Sequence, residues 1–172
     1  MQYTSTCKSP IGNIFLAADE IGLTGLWFDG QKYFAHNLDP AHEEKALPVF
    51  KSVRKWLDIY FAGQEPDFIP PVHLIGTPFQ ISIWKLLRQI PYGQTATYGE
   101  LARKIAEEKG LTHMSAQAVG GAVGHNPISI IVPCHRVAGS DGSLTGYAGG
   151  VDKKKYLLSL EGVDVDNRMI LL

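Results

Sequence analysis

Two helix-opening signals, Thr77-Pro78-Phe79-Gln80 and Thr97-Tyr98-Gly99-Glu100, constrain how the second half of this sequence can fold. Each places a threonine at an N-cap and a Gln or Glu three residues on, where the two side chains can satisfy two orphan backbone N–H groups reciprocally. In the first signal Pro78 takes the first helical position, where its missing N–H costs nothing. Phe79, Ile83, Leu86, Leu87 and Ile90 then mark a buried face, and Pro91-Tyr92-Gly93 breaks the run. The second signal opens a helix through about Glu108, ended by Gly110. Thr112 or Ser115 caps a third helix, expected to run to about Val123 with Gly124 as its stop. Two short helices joined by a turn outline a helix-turn-helix, although the turn at Lys109–Met114 exceeds the usual run of about 3–4 residues. A last helix is expected over Asp152–Leu160, capped by Asp152 and ended by Gly162.

The first half has a different period. Tyr3–Cys7 and Asn13–Ala18 flank the turn Ser9-Pro10-Ile11-Gly12 and read as a hairpin. Asp19-Glu20-Ile21-Gly22 separates the second strand from a third, Leu23–Phe28. Pro48–Phe61 is helical, with Val49, Val53, Trp56, Leu57, Tyr60 and Phe61 on one apolar face and Gly63 and Pro66 as the stop. Asp67–Leu74 reads as one more strand. Strands first and helices after give an α+β chain, with a boundary near Pro70–Thr77 and units of 1–75 and 76–172.

The 172 residues hold no repeat and no apolar run near the ~20 residues of a membrane span. The first residues lack the basic and apolar regions of a secretion signal. Two cysteines make no disulfide framework, so a reducing, intracellular setting with free thiols is expected. Net charge is −1, which gives no argument for nucleic acid on its own. The halves differ mildly: residues 1–75 hold 6 Lys/Arg against 9 Asp/Glu, and residues 76–172 hold 10 against 8.

Chemistry concentrates in Ile130-Ile131-Val132-Pro133-Cys134-His135-Arg136-Val137. An apolar run enters a proline and then adjacent Cys, His and Arg. A thiolate attacks and a thiol does not, so a working cysteine needs a lowered pKa or a base within reach. His135 can be that base, directly or through a water, and such a histidine usually needs a third group to fix its ring. The other reading of these residues is a buried structural cysteine beside a surface histidine. No paired-ligand spacing points to a metal. His36, His42, His73, His113 and His125 read as surface or loop residues, and Cys7 as core.

Pro133-Cys134-His135-Arg136-Val137 resembles the active-site signature of the 6-O-alkylguanine-DNA alkyltransferases, the methylated-DNA–protein-cysteine methyltransferases. The resemblance extends through Trp84-Lys85-Leu86-Leu87, Ile90-Pro91-Tyr92-Gly93, Thr97-Tyr98, Ala118-Val119-Gly120-Gly121-Ala122, Asn126-Pro127, Gly146-Tyr147 and Glu161-Gly162. It implies a small N-terminal α/β domain with an antiparallel, ribonuclease H-like sheet, and a mostly helical, winged helix-turn-helix-like C-terminal domain that binds DNA and accepts the alkyl group. Cys134 would be the acceptor, His135 its base, Glu161 the residue orienting His135, Tyr98 the group near the leaving base, and Asn126 the residue holding the turn before the Cys loop. Val132, Tyr147, Ala148 and Gly149 would line the base pocket, and Arg136 would make a structural ion pair. Gln117, Ala118, Gly120, Gly121 and Tyr98 would meet double-stranded DNA carrying alkylated bases.

By the same resemblance no cofactor or metal is expected and each molecule works once; a monomer is the simplest expectation, and the intracellular setting is cytoplasmic, or nuclear in a eukaryote. The substrates implied are 6-O-alkylguanine and 4-O-alkylthymine. Small residues at Ala116, Ala118, Gly120, Gly121 and Ala122 suit either a narrow groove or a tight helix–helix contact. The resemblance also shows departures: Gln117 stands where the family places an arginine, Ala148 where some relatives carry a serine, and Glu107–Ser115 is longer than in many. Three rivals make different predictions: a damage-recognition protein with weak or no transfer, a winged-helix transcription factor, and a Cys-His hydrolase.

Overall fold

The computed structural model describes residues 1–165 and 170–171. The chain is α+β and divides into two compact units. The first comprises Met1–Ile75 with the short return segment Pro127–Ser129. The second comprises Gly76–Asn126 and the chain from Ile130 onward.

In the first unit β1 (Gln2–Ser9) and β2 (Gly12–Ala18) form the expected hairpin, in register from Tyr3 opposite Ala18 to Ser9 opposite Gly12. Ser9 Oγ donates to Gly12 O at 2.7 Å, and Gly12 takes φ +118°, open to glycine. β3 (Leu23–Phe28) pairs antiparallel with β2 after a turn in which Asp19 Oδ1 accepts the N–H groups of Ile21 and Gly22. All six residues of β3 are buried.

A fourth strand, β4 (His42–Glu44), lies parallel to the far edge of β1, giving the order β3-β2-β1-β4. The sheet is therefore not wholly antiparallel. β4 is fully exposed and carries no apolar residue, so its sequence has no strand period to read.

α1 (Pro48–Phe61) packs against β1 and β2, with the expected ends. Its buried stripe is Phe50, Val53, Trp56, Leu57 and Tyr60. Val49 and Phe61, expected on that face, are only half-buried.

Asp67–Leu74 is not a strand. Val72 alone bridges Leu23. Pro70 and Pro71 have no N–H to donate, which blocks a ladder there. Leu23 N–H donates instead to Pro71 O at 2.8 Å, and His73 N–H to Leu23 O at 2.7 Å. A Cβ on Gly22 would lie 2.6 Å from Pro71 O, so this approach requires glycine. Farther along the same edge, Leu26 N–H donates to Pro127 O at 2.8 Å and Ser129 N–H to Leu26 O at 3.0 Å. Two separate segments thus cover the outer edge of β3, which would otherwise present unpaired backbone groups.

The second unit opens with α2 (Pro78–Leu87), and Thr77 and Gln80 complete the capping box. α2 ends three residues before Ile90, and its buried residues are Ile83, Trp84, Leu86 and Leu87. Trp84 Nε1 donates to Ala122 O at 2.9 Å, fixing α2 on α4 (Ala116–Gly124). β5 (Ala96–Thr97) leads into α3 (Tyr98–Glu108). Thr97 Oγ1 accepts Glu100 N–H at 3.1 Å, but its hydroxyl, rather than its backbone N–H, meets the Glu100 carboxylate at 3.3 Å. Only half of the second box forms.

Ser115, not Thr112, caps α4, accepting the N–H groups of Gln117 and Ala118. Gly124 belongs to the helix, with His125 as its C-cap. A 3-10 turn, Cys134–Arg136, is followed by β6 (Val137–Ala138), which pairs parallel with β5. β7 (Leu144–Thr145) pairs parallel with β8 (Ile170–Leu171). Between them α5 (Val151–Leu160) starts at Gly150, φ +99°, with no side-chain cap. Asp152 lies inside the first turn instead, where a carboxylate favours the positive end of the helix dipole.

Candidate active site

The helix-turn-helix delivers a sharp turn. At the end of α4 the backbone leaves through His125 and Asn126 and reaches Ile130, which takes φ +69°. A β-branched residue there is a true outlier, strained by roughly 1–3 kcal/mol. Asn126 pins the segment leading to the cysteine: its Nδ2 donates to Val132 O at 2.8 Å, in a buried setting. The same carbonyl accepts the Cys134 N–H at 2.8 Å. Val132 and Cys134 are both buried.

His135, Arg136 and Glu161 meet beside this turn, and all three are buried. His135 Nε2 is 2.6 Å from Glu161 Oε2, with both side chains fully shielded from solvent. Arg136 Nε donates to Glu161 Oε1 at 2.8 Å and its Nη2 to Oε2 at 3.2 Å, while Nη1 donates to Ile90 O at 2.7 Å. Gly93 N–H donates to Glu161 Oε1 at 3.0 Å. The carboxylate therefore collects charge-assisted bonds from His135 and Arg136 and one backbone bond.

Protonation states are set by these partners. Burial alone would push Glu161 up, but the hydrogen bond from His135 and the bonds and charge of Arg136 hold it at about 2, against an ordinary 4.5. It is ionised at neutral pH and can only accept. Burial lowers His135, more than Glu161 raises it, so the ring is neutral. Its Nε2 must then carry the proton donated to Glu161, which leaves the lone pair on Nδ1. That tautomer is a base. Burial raises the Cys134 thiol, with Asn126 and then Lys154 pulling it back down. At rest the sulfur is a protonated thiol beside a neutral imidazole, an arrangement suited to deprotonation during reaction.

The remaining residues singled out by sequence fall into two groups. Tyr98 opens α3, half-buried, and its ring lies 3.8 Å from where a Cβ on Gly120 would stand. Gln117, Ala118 and Gly121 are exposed on α4. A Cβ on Gly121 would meet nothing within 4 Å, so no contact within the protein requires glycine there. Tyr147, Ala148 and Gly149 are half-buried in the loop between β7 and α5, closed by Gly150 N–H to Tyr147 O at 2.8 Å.

Likeness to known proteins agrees with this geometry. Residues 78–163 match the model of the 6-O-methylguanine DNA methyltransferase DNA-binding domain, and residues 2–74 that of the family's ribonuclease-like domain. The chain belongs to the 6-O-methylguanine DNA methyltransferase family. Methylated-DNA–protein-cysteine methyltransferase of Haemophilus influenzae is 42% identical over 162 residues, 94% of this chain and 87% of that one. The enzyme of the same name from Methanosarcina acetivorans is 45% identical over 160 residues, 93% of this chain and 98% of that one. The crystal structure of Mycobacterium tuberculosis OGT in complex with DNA aligns with a TM-score of 0.80 at 42% identity, covering 92% of each chain. The protein is thus a cysteine methyltransferase of DNA repair, acting by direct reversal.

Within this methyltransferase the sequence reading missed Lys154, Gly93 and the strain at Ile130. Lys154 is fully buried. The sequence signal lay in the run Lys153-Lys154-Lys155 on a helix that also carries Glu161: of the three, Lys154 stands two turns before the carboxylate. Gly93 bonds Glu161 through its backbone, which no side-chain pattern reveals. Cys7, expected as core, is half-buried on β1, and burial raises its thiol. His73, expected as an ordinary surface residue, pairs with Asp19 Oδ2 at 2.5 Å. Among the described residues no three His, Cys, Asp or Glu side chains gather as metal ligands, and no helix is long and apolar enough to cross a membrane.

Proposed function

We propose that Cys134 is the alkyl acceptor, for 6-O-alkylguanine and 4-O-alkylthymine in duplex DNA, and that each monomer works once in the reducing interior of the cell. The observation that carries this reading is the fully shielded pair of His135 and ionised Glu161, one residue from a buried thiol. His135 Nδ1 takes the thiol proton through a water. The thiolate attacks the alkyl carbon on the base oxygen in line, a C–S bond forms and the C–O bond breaks. The electron pair stays on the base, where Tyr98 stabilises it by hydrogen bonding or proton donation. The proton lost by sulfur is balanced by the one gained by the base. A thioether is a poor leaving group, so the thiol does not return.

The target oxygen is stacked within a duplex, and flipping the base out costs a few kcal/mol, least at a damaged pair. The exposed small face of α4 supports a close approach to a narrow groove: Gly121 costs roughly 1 kcal/mol against alanine with no use inside the protein. Gln117 on that face would fill the gap left by the flipped base, and Val132 with Tyr147, Ala148 and Gly149 would receive it.

Intact mass and peptide mapping test the proposal after mixing with a methylated duplex oligonucleotide. Wild-type protein gains the mass of one methylene, confined to the Cys134 peptide and in one-to-one yield. Unmodified protein, modification of Cys7, or many lesions repaired per molecule would overturn it. Cys134→Ala abolishes transfer while duplex binding persists.

A further inference from the structure

The turn that follows α2 has no part in the transfer steps, yet it grips both members of the ion pair behind His135. Ile90 O accepts Arg136 Nη1 at 2.7 Å. Arg136 lies over the Tyr92 ring, its guanidinium carbon 5.7 Å from the ring centre, within reach of a cation–π contact. Gly93 N–H donates to Glu161 Oε1 at 3.0 Å. Gly93 takes φ +78°, and a Cβ on it would stand 3.1 Å from Glu161 O, so the close approach favours glycine. Three residues of one short turn thus hold the pair, through a carbonyl, an aromatic face and an N–H. Arg136 is buried, so these contacts rather than water set the orientation of its planar fork. A carboxylate that orients a histidine also attracts a proton onto it, and an imidazolium takes no proton from a thiol. A fixed cation on the same carboxylate offsets that attraction.

Resting on the transfer reading, we infer that Tyr92 and Gly93 are positioning residues of the reaction: their turn seats Arg136 and Glu161 against each other, so that the carboxylate orients His135 without drawing a proton onto it. The directions of the effects on His135 agree. Burial is the largest cause of its lowered value, Glu161 opposes burial, and Arg136 adds to it. The other charge acting on the ring is Lys154 of α5, which lowers it as well. Glu161 in turn meets His135, both nitrogens of the Arg136 fork and the Gly93 N–H. Buried charges are weakly screened, so a small displacement of the guanidinium changes this balance more than it would at the surface. Tyr92 and Gly93 reach the imidazole through Arg136 and Glu161.

Two readouts test this from mildly acid to alkaline pH: ring-nitrogen NMR of His135, which reports its protonation without DNA, and single-turnover transfer from a methylated duplex. Tyr92→Leu loosens the guanidinium and should raise the protonation midpoint of His135 by about one pH unit, about a tenfold gain in proton affinity. A raised midpoint removes the base in acid, so transfer should slow by up to about tenfold on the acid side and keep the wild-type rate on the alkaline side. Gly93→Ala, whose Cβ crowds Glu161 O, should shift both readouts the same way. Tyr92→Phe keeps the aromatic face and should match wild type. An unmoved midpoint in Tyr92→Leu, a loss of rate equal at every pH, or a Tyr92→Phe as altered as Tyr92→Leu overturns the inference. Failure of both Tyr92→Leu and Gly93→Ala to fold does so too, since the turn would then serve the fold alone. Wild-type protein whose His135 is neutral yet which gains no methylene sinks the transfer reading instead, which keeps the two failures apart.

Discussion

Asn126 donates its side-chain amide to Val132 O at 2.8 Å, and that carbonyl also receives the Cys134 N–H at 2.8 Å. One oxygen thus joins the end of α4 to the backbone of Cys134. Asn126 further lowers the thiol, second only to the opposing effect of burial. Asn126→Ala removes a buried donor and should destabilise the protein by about 1–3 kcal/mol. Asn126→Asp should slow transfer more than the alanine does, because an ionised carboxylate cannot donate and would oppose both Val132 O and the thiolate. Urea titration and single-turnover kinetics read the two effects. A wild-type rate in Asn126→Asp would refute the assignment.

Glu161 makes stability depend on acid. Its native value of about 2 lies below its ordinary 4.5, so the unfolded chain binds the proton more readily. Its contribution is complete above the ordinary value and is lost as pH falls through about 2. Glu161→Gln has no such titration, so the loss of stability between those two values should be shallower than in wild type. At neutral pH the variant should be less stable by about 3–5 kcal/mol, since Arg136 loses the charge it is buried against. Urea midpoints measured across the acid range check both points, and parallel curves for the two proteins would contradict the linkage.

Much of this was legible in the sequence because the signals were local. Thr77 and Gln80 cap α2, Gly110 and Ser115 bound the turn between α3 and α4, and Pro48–Phe61 matches its helix end to end. Contacts from distant residues were harder to read. β4 forms because the edge of β1 is available, not because His42-Glu43-Glu44 prefers a strand. Asp152 fits a cap by residue type, yet Gly150 takes that place because its φ of +99° lets the loop after β7 turn directly into α5. Adjacent Cys and His admitted a bland reading. The third member, Glu161, gained its place only through resemblance, because 26 positions separate it from His135 and no periodicity links them. Lys154 stayed hidden among three lysines, since burial of one charge in a run is decided by tertiary packing alone.

Gly121 separates the two uses of small residues on α4. Space is open around its missing Cβ, so Gly121→Ala should stabilise the protein by up to roughly 1 kcal/mol through helix propensity. Gly121→Leu should fold as well as wild type. Its side chain would nevertheless project from the exposed face and hold the helix away from the groove walls, weakening binding to a methylated duplex by about tenfold or more, of order 1.4 kcal/mol. Thermal melts and fluorescence anisotropy measure these. If Gly121→Leu binds normally, this face of α4 does not meet DNA.

Gln117 occupies the first turn of α4, exposed, with its backbone N–H taken by Ser115. Its side chain can hydrogen-bond an orphaned base but offers no guanidinium plane and no positive charge. An arginine would supply both, stacking in the gap left by the flipped nucleotide and drawing the helix toward the phosphates. Because the position is exposed, the change requires no repacking. Gln117→Arg should therefore speed alkyl transfer on duplex DNA by up to about tenfold, the effect of roughly 1.4 kcal/mol of extra stabilisation for the flipped state. Free 6-O-methylguanine needs no flipping, so its reaction rate should be unchanged by the same substitution. Single-turnover rates on both substrates decide the matter. A gain on duplex alone assigns Gln117 to extrusion. An equal gain on both would place the effect in the pocket, and no gain on duplex would remove this residue from the account of how the base is turned out.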